Sequence, residues 1–464
     1  MRPGFFIQTG LVGHDREESL KLLAKLLPST VVLVRKDFAD RSDLLSLIHS
    51  IKRIYKIENG VRDPYIAVDQ EGGNVVRLAF LNYNPSNAFL GNLDNAALTE
   101  YVGSRTGFDL ISLGIEWDLA PVLDLASPYN QVILERSFSS DPMKVAVHGS
   151  AFIRGLQRYG VAATAKHFPG HGGVIGDSHL MLPTDDRGLP SLVSDMYPFR
   201  AAVREKVAAV MLSHVLYTSI DDTNPATLSP PIYEMLRKDL GFMGVAITDS
   251  LNMKAVSKDF TTEEMGRRAS RAGADILECV DIDRAIEMSL HLDMKDEHAS
   301  AERILKLLPG KSARIEPPGD ILHAFALIGN TIKKDFKPLD PEKDTALLFL
   351  DDTKESIVSD SFTNSAGIIA RLKETGLKIS IFTPDDIERE KNSFTQLIII
   401  GRNEHLKERY LKLNYTVSGR HSVFISSGVP ADLGLIPEGT GYISVLSTKV
   451  DSIIGAIFRS FGYF

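Results

Sequence analysis

The residues whose side chains are best suited to catalysis lie in one glycine-rich loop, residues 166–179. The loop reads KHFPGHGGVIGDSH and contains a lysine, three histidines and an aspartate. Its glycines permit unusual backbone dihedrals and movement, which suits a loop that carries a catalytic group. Asp177 and His179 are spaced to face each other across a tight turn, where a carboxylate can orient an imidazole and stabilise its protonated form. The loop therefore indicates acid–base chemistry by histidine.

A second candidate is Asp249, which follows the apolar run 245–248 in the segment VAITDSLNM. A carboxylate at the end of a strand is placed to act as a nucleophile. In a retaining glycosidase such a carboxylate attacks the anomeric carbon and forms a covalent glycosyl-enzyme. A helix N-cap after the strand is the structural alternative for this aspartate.

The elements that must position these residues follow a recurring pattern of apolar β-branched runs and amphipathic stretches. The predicted strands are residues 5–8, 31–34, 65–68, 117–125, 161–165, 207–212, 245–248 and 274–279. The amphipathic stretches include 41–57, 142–158, 195–205, 231–240 and 262–272. Eight successive β-then-α units predict an α/β fold with a parallel (β/α)8 barrel of the TIM type.

Polar side chains stand at the C-terminal ends of five of these predicted strands. They are Asp69, Asp124, Lys166 with His167, His214 and Asp249. Barrel enzymes build their active sites at this face, so these side chains are expected to converge over the barrel mouth.

The chain is predicted to contain two domains. The barrel is assigned to residues 1–310, and a linker with a helix over 321–334 is assigned to 311–340. The segments 309–311 and 317–319, which contain proline and glycine, mark this boundary. Residues 341–464 are predicted to form a smaller α/β sandwich domain. Its predicted strands are 346–350, 378–382, 396–400, 422–425 and 442–445.

Composition and net charge favour a globular protein and argue against nucleic-acid and membrane partners. A hydrophobic fraction of 44% in 464 residues is enough to bury a sizeable core, and a net charge of −8 argues against a nucleic-acid partner. No apolar run approaches the roughly 18 residues that span a bilayer, so no membrane partner is expected. The single cysteine, Cys279, cannot form an intramolecular disulfide, which makes the cytoplasm the default location. The oligomeric state stays open.

Several segments together resemble a known family. The 166–179 loop is similar to the KHFPGHG-(four residues)-DSH signature of bacterial family 3 β-N-acetylglucosaminidases, the NagZ-like branch. Further matches are IAVDQEGG at 66–73, LAPVLD at 119–124, ERSFSSDP at 135–142 and the Asp249 segment. The sequence departs from the family at Asn74, where an arginine commonly follows the glycines.

The resemblance implies a retaining exo-β-N-acetylglucosaminidase that removes terminal N-acetylglucosamine from chitooligosaccharides or peptidoglycan fragments. It implies that Asp249 is the nucleophile and that His179 is the general acid/base, with Asp177 as its partner. The residues implied to bind the sugar hydroxyls are Asp69, Arg136, Lys166 and His167. The resemblance implies a small carbohydrate as the partner and no metal or organic cofactor.

Other interpretations stay open at this point. A histidine acid/base lacks the negative charge that repels phosphate, so phosphorolysis, or another family 3 specificity, is an alternative to hydrolysis. A metal-dependent barrel hydrolase would gather His167, His171, Asp177, His179 and His214 around zinc. A non-catalytic sugar-binding protein is a third class. Individual residues also have structural alternatives: Arg136 as an ion-pair partner of Glu135 or Asp141, and Asp69 as a turn cap.

Overall fold

The computed structural model describes most of the N-terminal two thirds of the chain and parts of the remainder. The described residues are 1–58, 62–81, 85–127, 130, 132–174, 182–253, 256, 260–309, 333–334, 338–349, 368–369, 372, 377–382, 389, 393–401, 421–426 and 441–444. The chain divides into two compact units, Met1–Pro318 and Gly319–Phe464. None of the described helices is both long enough and apolar enough to cross a membrane.

The first unit alternates strands and helices along the chain. Its strands are β1 (Ile7–Val12), β2 (Thr30–Leu33), β3 (Tyr65–Val68), β4 (Gln70–Gly72), β5 (Val75–Val76), β6 (Trp117–Asp118), β7 (Ala162–Phe168), β8 (Thr184–Asp185), β9 (Ala209–Leu212), β10 (Leu216–Tyr217), β11 (Val245–Thr248) and β12 (Leu277–Asp281). Its helices are α1 (Arg16–Leu26), α2 (Arg41–Glu58), α3 (Asn87–Leu93), α4 (Ala96–Ser112), α5 (Pro142–Arg158), α6 (Leu189–Arg204), α7 (Pro230–Glu234), α8 (Thr262–Ala272), α9 (Ile282–Leu290) and α10 (Glu297–Leu305).

Eight of these strands form one parallel sheet in the order β11-β9-β7-β6-β3-β2-β1-β12. A parallel bridge between Ile247 and Ile276 joins β11 to the residue just before β12, which brings the two edges of the sheet together. Joined edges and parallel strands linked by helices define a (β/α)8 barrel. The predicted fold class is confirmed.

Element boundaries follow the predictions where caps are clear and differ where proline or glycine intervenes. The strands at 65–68 and 245–248 and the helices at 142–158 and 262–272 match the prediction. The first strand does not, because Pro3–Phe6 form a 3-10 turn and β1 begins at Ile7. Gly4 packs so closely that an added Cβ would lie 2.1 Å from the Leu26 carbonyl oxygen.

The predicted strand 117–125 and helix 231–240 are each only partly correct. β6 ends at Asp118, and beyond it an isolated bridge at Val122 and backbone hydrogen bonds from β7 to the Ala120 and Pro121 carbonyls continue the contact. Pro121 has no N–H to donate to a ladder, which is why the strand cannot run through it. The helix begins as α7 and continues as a π-helix, Met235–Asp239.

The inside of the barrel is apolar below its mouth. Ala67, Trp117, Ala162, Met211 and Ile247 belong to one buried cluster. The indole Nε1 of Trp117 donates a 2.6 Å hydrogen bond to Thr164 Oγ1, which satisfies the one polar atom of the ring. The charged residues at the strand ends therefore lie on a layer of packed apolar side chains.

The second unit contains a six-stranded sheet in the order β13-β18-β17-β16-β14-β15. The strands are β13 (Lys333–Lys334), β14 (Thr345–Phe349), β15 (Ile379–Phe382), β16 (Gln396–Gly401), β17 (His421–Ser426) and β18 (Gly441–Ser444). Each of the five predicted strands of this region overlaps a strand of this sheet. Among the described residues, β13 pairs antiparallel with β18 and the other pairs are parallel. Lys333–Lys334 are strand where the end of a helix was expected, and residues 321–332 of that predicted helix lie outside the described residues.

Candidate active site

A buried charge cluster lies at the mouth of the barrel, where β3 and β7 end. Lys166 Nζ is 2.9 Å from Asp69 Oδ1 and 2.5 Å from Glu71 Oε1. Arg136 donates two hydrogen bonds to Glu71, from Nε to Oε2 at 2.7 Å and from Nη2 to Oε1 at 2.8 Å. The side chains of Lys166 and Glu71 are only 3% and 1% exposed, so these ion pairs are shielded from water.

The partner of Arg136 differs from both structural alternatives considered for it. Glu135 accepts a hydrogen bond from Asn74 Nδ2, and Asp141 caps α5 by accepting from the Met143 N–H at 2.9 Å. Arg136 therefore reaches across the site to Glu71, 65 residues away in the sequence.

The charges of this cluster are stable because its members compensate one another. Burial raises the pKa of the Glu71 carboxyl, but the charges of Arg136 and Lys166 outweigh it and lower the pKa from its usual 4.5 to about 2. Burial likewise opposes ionisation of Asp69, whose pKa the nearby Lys166 and Arg77 hold well below its usual range. The carboxylates of Asp69 and Glu71 in turn raise the pKa of the buried Lys166. All these groups are therefore charged at neutral pH.

Glu71→Gln is expected to destabilise the barrel by about 3–5 kcal/mol, because it leaves the buried charges of Arg136 and Lys166 without their shared carboxylate. Folding lowers the pKa of the Glu71 carboxyl. The contribution of this carboxylate to the free energy of unfolding is therefore complete above pH 4.5 and is lost as the pH falls toward about 2. Urea unfolding of wild type and variant at several pH values measures the difference. Glu302→Gln, at an exposed pair with Lys306 on α10, is the matched control and should leave the midpoint unchanged. An equal midpoint shift in both variants would contradict the prediction.

Arg77 is a site residue that the sequence analysis did not identify. Its Nη2 donates to Asp69 Oδ2 at 3.2 Å. It follows the β4–β5 hairpin, in which Gly73 has a φ of +58° and lies so close to Ser86 that an added Cβ would be 2.6 Å from the Ser86 Cβ. Asn74 takes the position where the family commonly has an arginine, but this hairpin still brings an arginine to Asp69. The feature of the sequence that could have identified Arg77 as a site residue is its short separation from Asp69, which is eight positions.

Asp124 organises two histidines of the glycine-rich loop. Its Oδ2 lies 2.7 Å from His167 Nδ1, and its Oδ1 accepts the backbone N–H groups of His167 and His171 at 3.1 and 2.7 Å. Asp124 is fully buried, and its contact with His167 lowers its pKa against the effect of burial. Because Nδ1 of His167 is engaged by this carboxylate, Nε2 is the ring nitrogen available for a further contact. Burial lowers the pKa of His171 to about 4, so that ring is neutral.

Asp249 lies at the end of β11, half-buried at the same mouth. Its backbone N–H donates to the Leu212 carbonyl at 3.0 Å, and its Oδ1 accepts from the Ser250 N–H at 2.7 Å. His214 supports this turn, since Nε2 lies 2.9 Å from the Ser250 carbonyl and Nδ1 lies 2.8 Å from Thr227 Oγ1. With both ring nitrogens in such contacts, His214 is a positioning residue for the Asp249 turn.

Asp177 and His179 lie outside the described residues, which break off at 174 and resume at 182. Among the residues that the structure does describe, no group of three or more His, Cys, Asp or Glu side chains is arranged to hold a metal ion.

The sequence is similar to known carbohydrate-active enzymes over most of its length. The model of the glycosyl hydrolase family 3 N-terminal domain matches residues 6–307. A β-hexosaminidase of Glaesserella parasuis serovar 5 is 35% identical over 307 residues, which are 65% of this chain and 88% of the relative. A β-hexosaminidase of Neisseria meningitidis serogroup C is 37% identical over 315 residues, 64% of this chain and 85% of the relative.

Solved structures show the same similarity. NagZ from Neisseria gonorrhoeae, in complex with N-trifluoroacetyl-D-glucosamine, is 32% identical and superposes with a TM-score of 0.59 over 66% of this chain and 90% of its own. A family 3 β-N-acetylglucosaminidase from Paenibacillus sp. str. FPU-7 has a TM-score of 0.85 over 100% of this chain and 96% of its own. The latter is 24% identical, so it bears on the fold alone.

Proposed function

Because the chain belongs to glycosyl hydrolase family 3, we propose that it is a retaining exo-β-N-acetylglucosaminidase acting through a glycosyl–Asp249 intermediate. The observation that carries this proposal is the position of Asp249 at a barrel mouth that also holds the buried cluster of Asp69, Glu71, Lys166 and Arg136. A nucleophile beside fixed hydrogen-bonding groups is what a two-step displacement at a sugar carbon requires.

The proposed first step breaks the glycosidic bond. Asp249 attacks the anomeric carbon from one face while His179, supported by Asp177, gives its proton to the departing oxygen. The bond between Asp249 and the sugar forms as the bond to the leaving group breaks. In the second step the now neutral His179 takes a proton from water, the water oxygen bonds to the anomeric carbon, and the Asp249 carboxylate is released. Two inversions give a product with retained configuration.

The proposed roles of the remaining site residues are binding and orientation of the sugar. Asp69 accepts and Lys166 donates hydrogen bonds to hydroxyl groups, and His167 donates or accepts through Nε2. Arg136 holds Glu71 with Nε and Nη2, and its Nη1 donates a long hydrogen bond of 3.4 Å to the Val132 carbonyl. Its contact with substrate is assigned to the second N–H of Nη1. Because the Glu71 carboxylate fixes Arg136 and Lys166 together, the hydroxyl-binding groups keep their geometry without the sugar.

Preference for the 2-acetamido sugar tests the proposed specificity. We expect kcat/KM for an aryl N-acetyl-β-glucosaminide to exceed that for the β-glucoside with the same leaving group by about 100-fold or more, since a site built to bind a polar substituent rejects the analogue that lacks it. Initial rates on the two glycosides provide the measurement. An equal or higher kcat/KM on the glucoside would refute the assignment to N-acetylhexosamine.

The natural substrate is proposed to be a chitooligosaccharide or a peptidoglycan fragment in the cytoplasm. Rates on chitobiose and on an N-acetylglucosaminyl-anhydromuramic acid conjugate distinguish the two sources. The same assays with and without inorganic phosphate distinguish hydrolysis from phosphorolysis, because only phosphorolysis yields a sugar 1-phosphate.

A further inference from the structure

Glu278 lies on the strand next to the proposed nucleophile. Ile247 and Ile276 are bridge partners on neighbouring parallel segments. Since side chains alternate with a period of two, a step of two residues along each segment brings Asp249 and Glu278 to the same level on the same face. The segments remain in contact there, because the Glu278 N–H donates to Thr248 Oγ1 at 3.0 Å and the Leu251 N–H donates to the Glu278 carbonyl at 2.9 Å.

Gln8 flanks Glu278 on the other side. The two are register partners on β1 and β12, so their side chains also share a face. Gln8 is fully buried and Glu278 is 6% exposed. Among the described residues, neither amide atom of Gln8 nor Oε2 of Glu278 has a hydrogen-bond partner. Buried polar atoms without partners cost folding free energy, and packing alone would favour apolar residues here. The pair therefore has the character of a recognition site.

The strand order divides the barrel mouth into two arcs between Asp249 and Asp69. One arc runs through β9, β7 and β6 and carries Lys166 and His167. The other runs through β12, β1 and β2 and carries Glu278 and Gln8. Burial raises the pKa of Glu278 well above its usual value, and the charges of Asp69 and Asp249 add to this effect. The charges of Lys166 and Arg77 oppose this effect, but burial is the largest influence and favours the protonated, neutral form of the Glu278 carboxyl. The strands of its arc, β12, β1 and β2, contain no lysine or arginine, whereas β7 of the opposite arc carries Lys166.

The positive charge that develops on the sugar ring in the transition state determines which edge of the ring is directed toward which arc. A pyranose with its anomeric carbon at Asp249 and the opposite side of the ring at Asp69 turns its C2–C3 edge to one arc and its ring oxygen and hydroxymethyl group to the other. Positive charge develops on the ring oxygen in the transition state, so a cation beside that atom would oppose the reaction. An orientation that avoids this directs the C2–C3 edge toward Lys166 and the hydroxymethyl edge toward Glu278.

We propose that Glu278, together with its register partner Gln8, binds the 6-hydroxyl of the terminal sugar and makes the enzyme selective for sugars that carry it. This inference rests on the proposed function and adds a specificity-determining residue to it. A neutral acid can both donate to and accept from a hydroxyl group, and it does so without placing a second negative charge beside Asp249.

The test compares an aryl N-acetyl-β-glucosaminide with its 6-deoxy analogue. Wild type should prefer the parent by about 10- to 100-fold in kcat/KM. Glu278→Leu should reduce this preference to within about threefold by slowing the parent alone, whereas Glu278→Gln should keep most of it, because an amide also donates and accepts. Cys279→Ala, at the next residue and on the opposite face of the same strand, is the matched control and should keep the full preference.

An equal loss of rate on both glycosides in Glu278→Leu would overturn the inference, since that result describes a structural residue. If Glu278→Leu does not fold, Gln8→Met provides the second test. The inference requires a reduced preference in folded Gln8→Met, and an unchanged preference refutes it. Absence of turnover of the parent glycoside by wild type would instead refute the proposed function, on which the inference rests.

Discussion

Asp249→Ala is expected to reduce kcat for every glycoside substrate by about 1,000-fold or more while the protein stays folded. The reason is that the covalent route needs a carboxylate at the anomeric carbon. Of the other carboxyl groups at the mouth, Asp69 and Glu71 pair with Lys166, and Asp124 contacts His167. Burial raises the pKa of the remaining one, Glu278, which makes it a poor nucleophile. Initial rates on an activated aryl glycoside measure the loss, and thermal unfolding confirms that the variant is folded.

Ser250→Ala is a suitable control for Asp249→Ala. It alters the adjacent side chain but preserves the backbone N–H that donates to Asp249 Oδ1. It should retain activity within about tenfold, since no proposed step uses its hydroxyl. A 5-fluoro glycoside should label Asp249 in wild type. Residual activity above a few per cent in Asp249→Ala, or labelling of another carboxylate, would exclude Asp249 as the nucleophile.

His179→Ala is expected to slow cleavage of a natural disaccharide by about 100- to 10,000-fold, and cleavage of an activated aryl glycoside far less. The physical reason is that a poor leaving group needs a proton as it departs, whereas a good one leaves without it. Measuring kcat/KM across aryl glycosides of different leaving-group pKa reveals this dependence. Asp177→Ala should show the same trend in milder form, because it orients the imidazole without transferring the proton itself.

Azide provides an independent readout of the same assignment. In His179→Ala, azide should restore part of the turnover of the activated substrate by attacking the glycosyl-enzyme, and the product should be the β-glycosyl azide. A merely structural histidine would not give this rescue. If both classes of substrate slow by the same factor and azide has no effect, the proton donor is a different residue.

Local patterns were sufficient to predict the architecture of both units. β3 and β11 are short β-branched runs bounded by polar residues, and α5 and α8 have clear N-caps in Asp141 and Thr261. Such signals act within a few residues, so they survive in any tertiary context. The β1 boundary failed because the contact of Gly4 with Leu26 depends on how two distant segments pack.

The sequence by itself determined the barrel, the second sheet and the polar residues at the strand ends, because periodicity and strand-end position are local properties. Only the tertiary structure decided which of those residues meet. Arg136 pairs with Glu71 across 65 positions, Arg77 reaches Asp69 from a hairpin, and Asp124 orients His167. The placement of Glu278 between Asp249 and Gln8 exists only because the last strand of the barrel closes against the first. Closure and register depend on the packing of the entire sheet, so no local pattern in the sequence specifies these contacts.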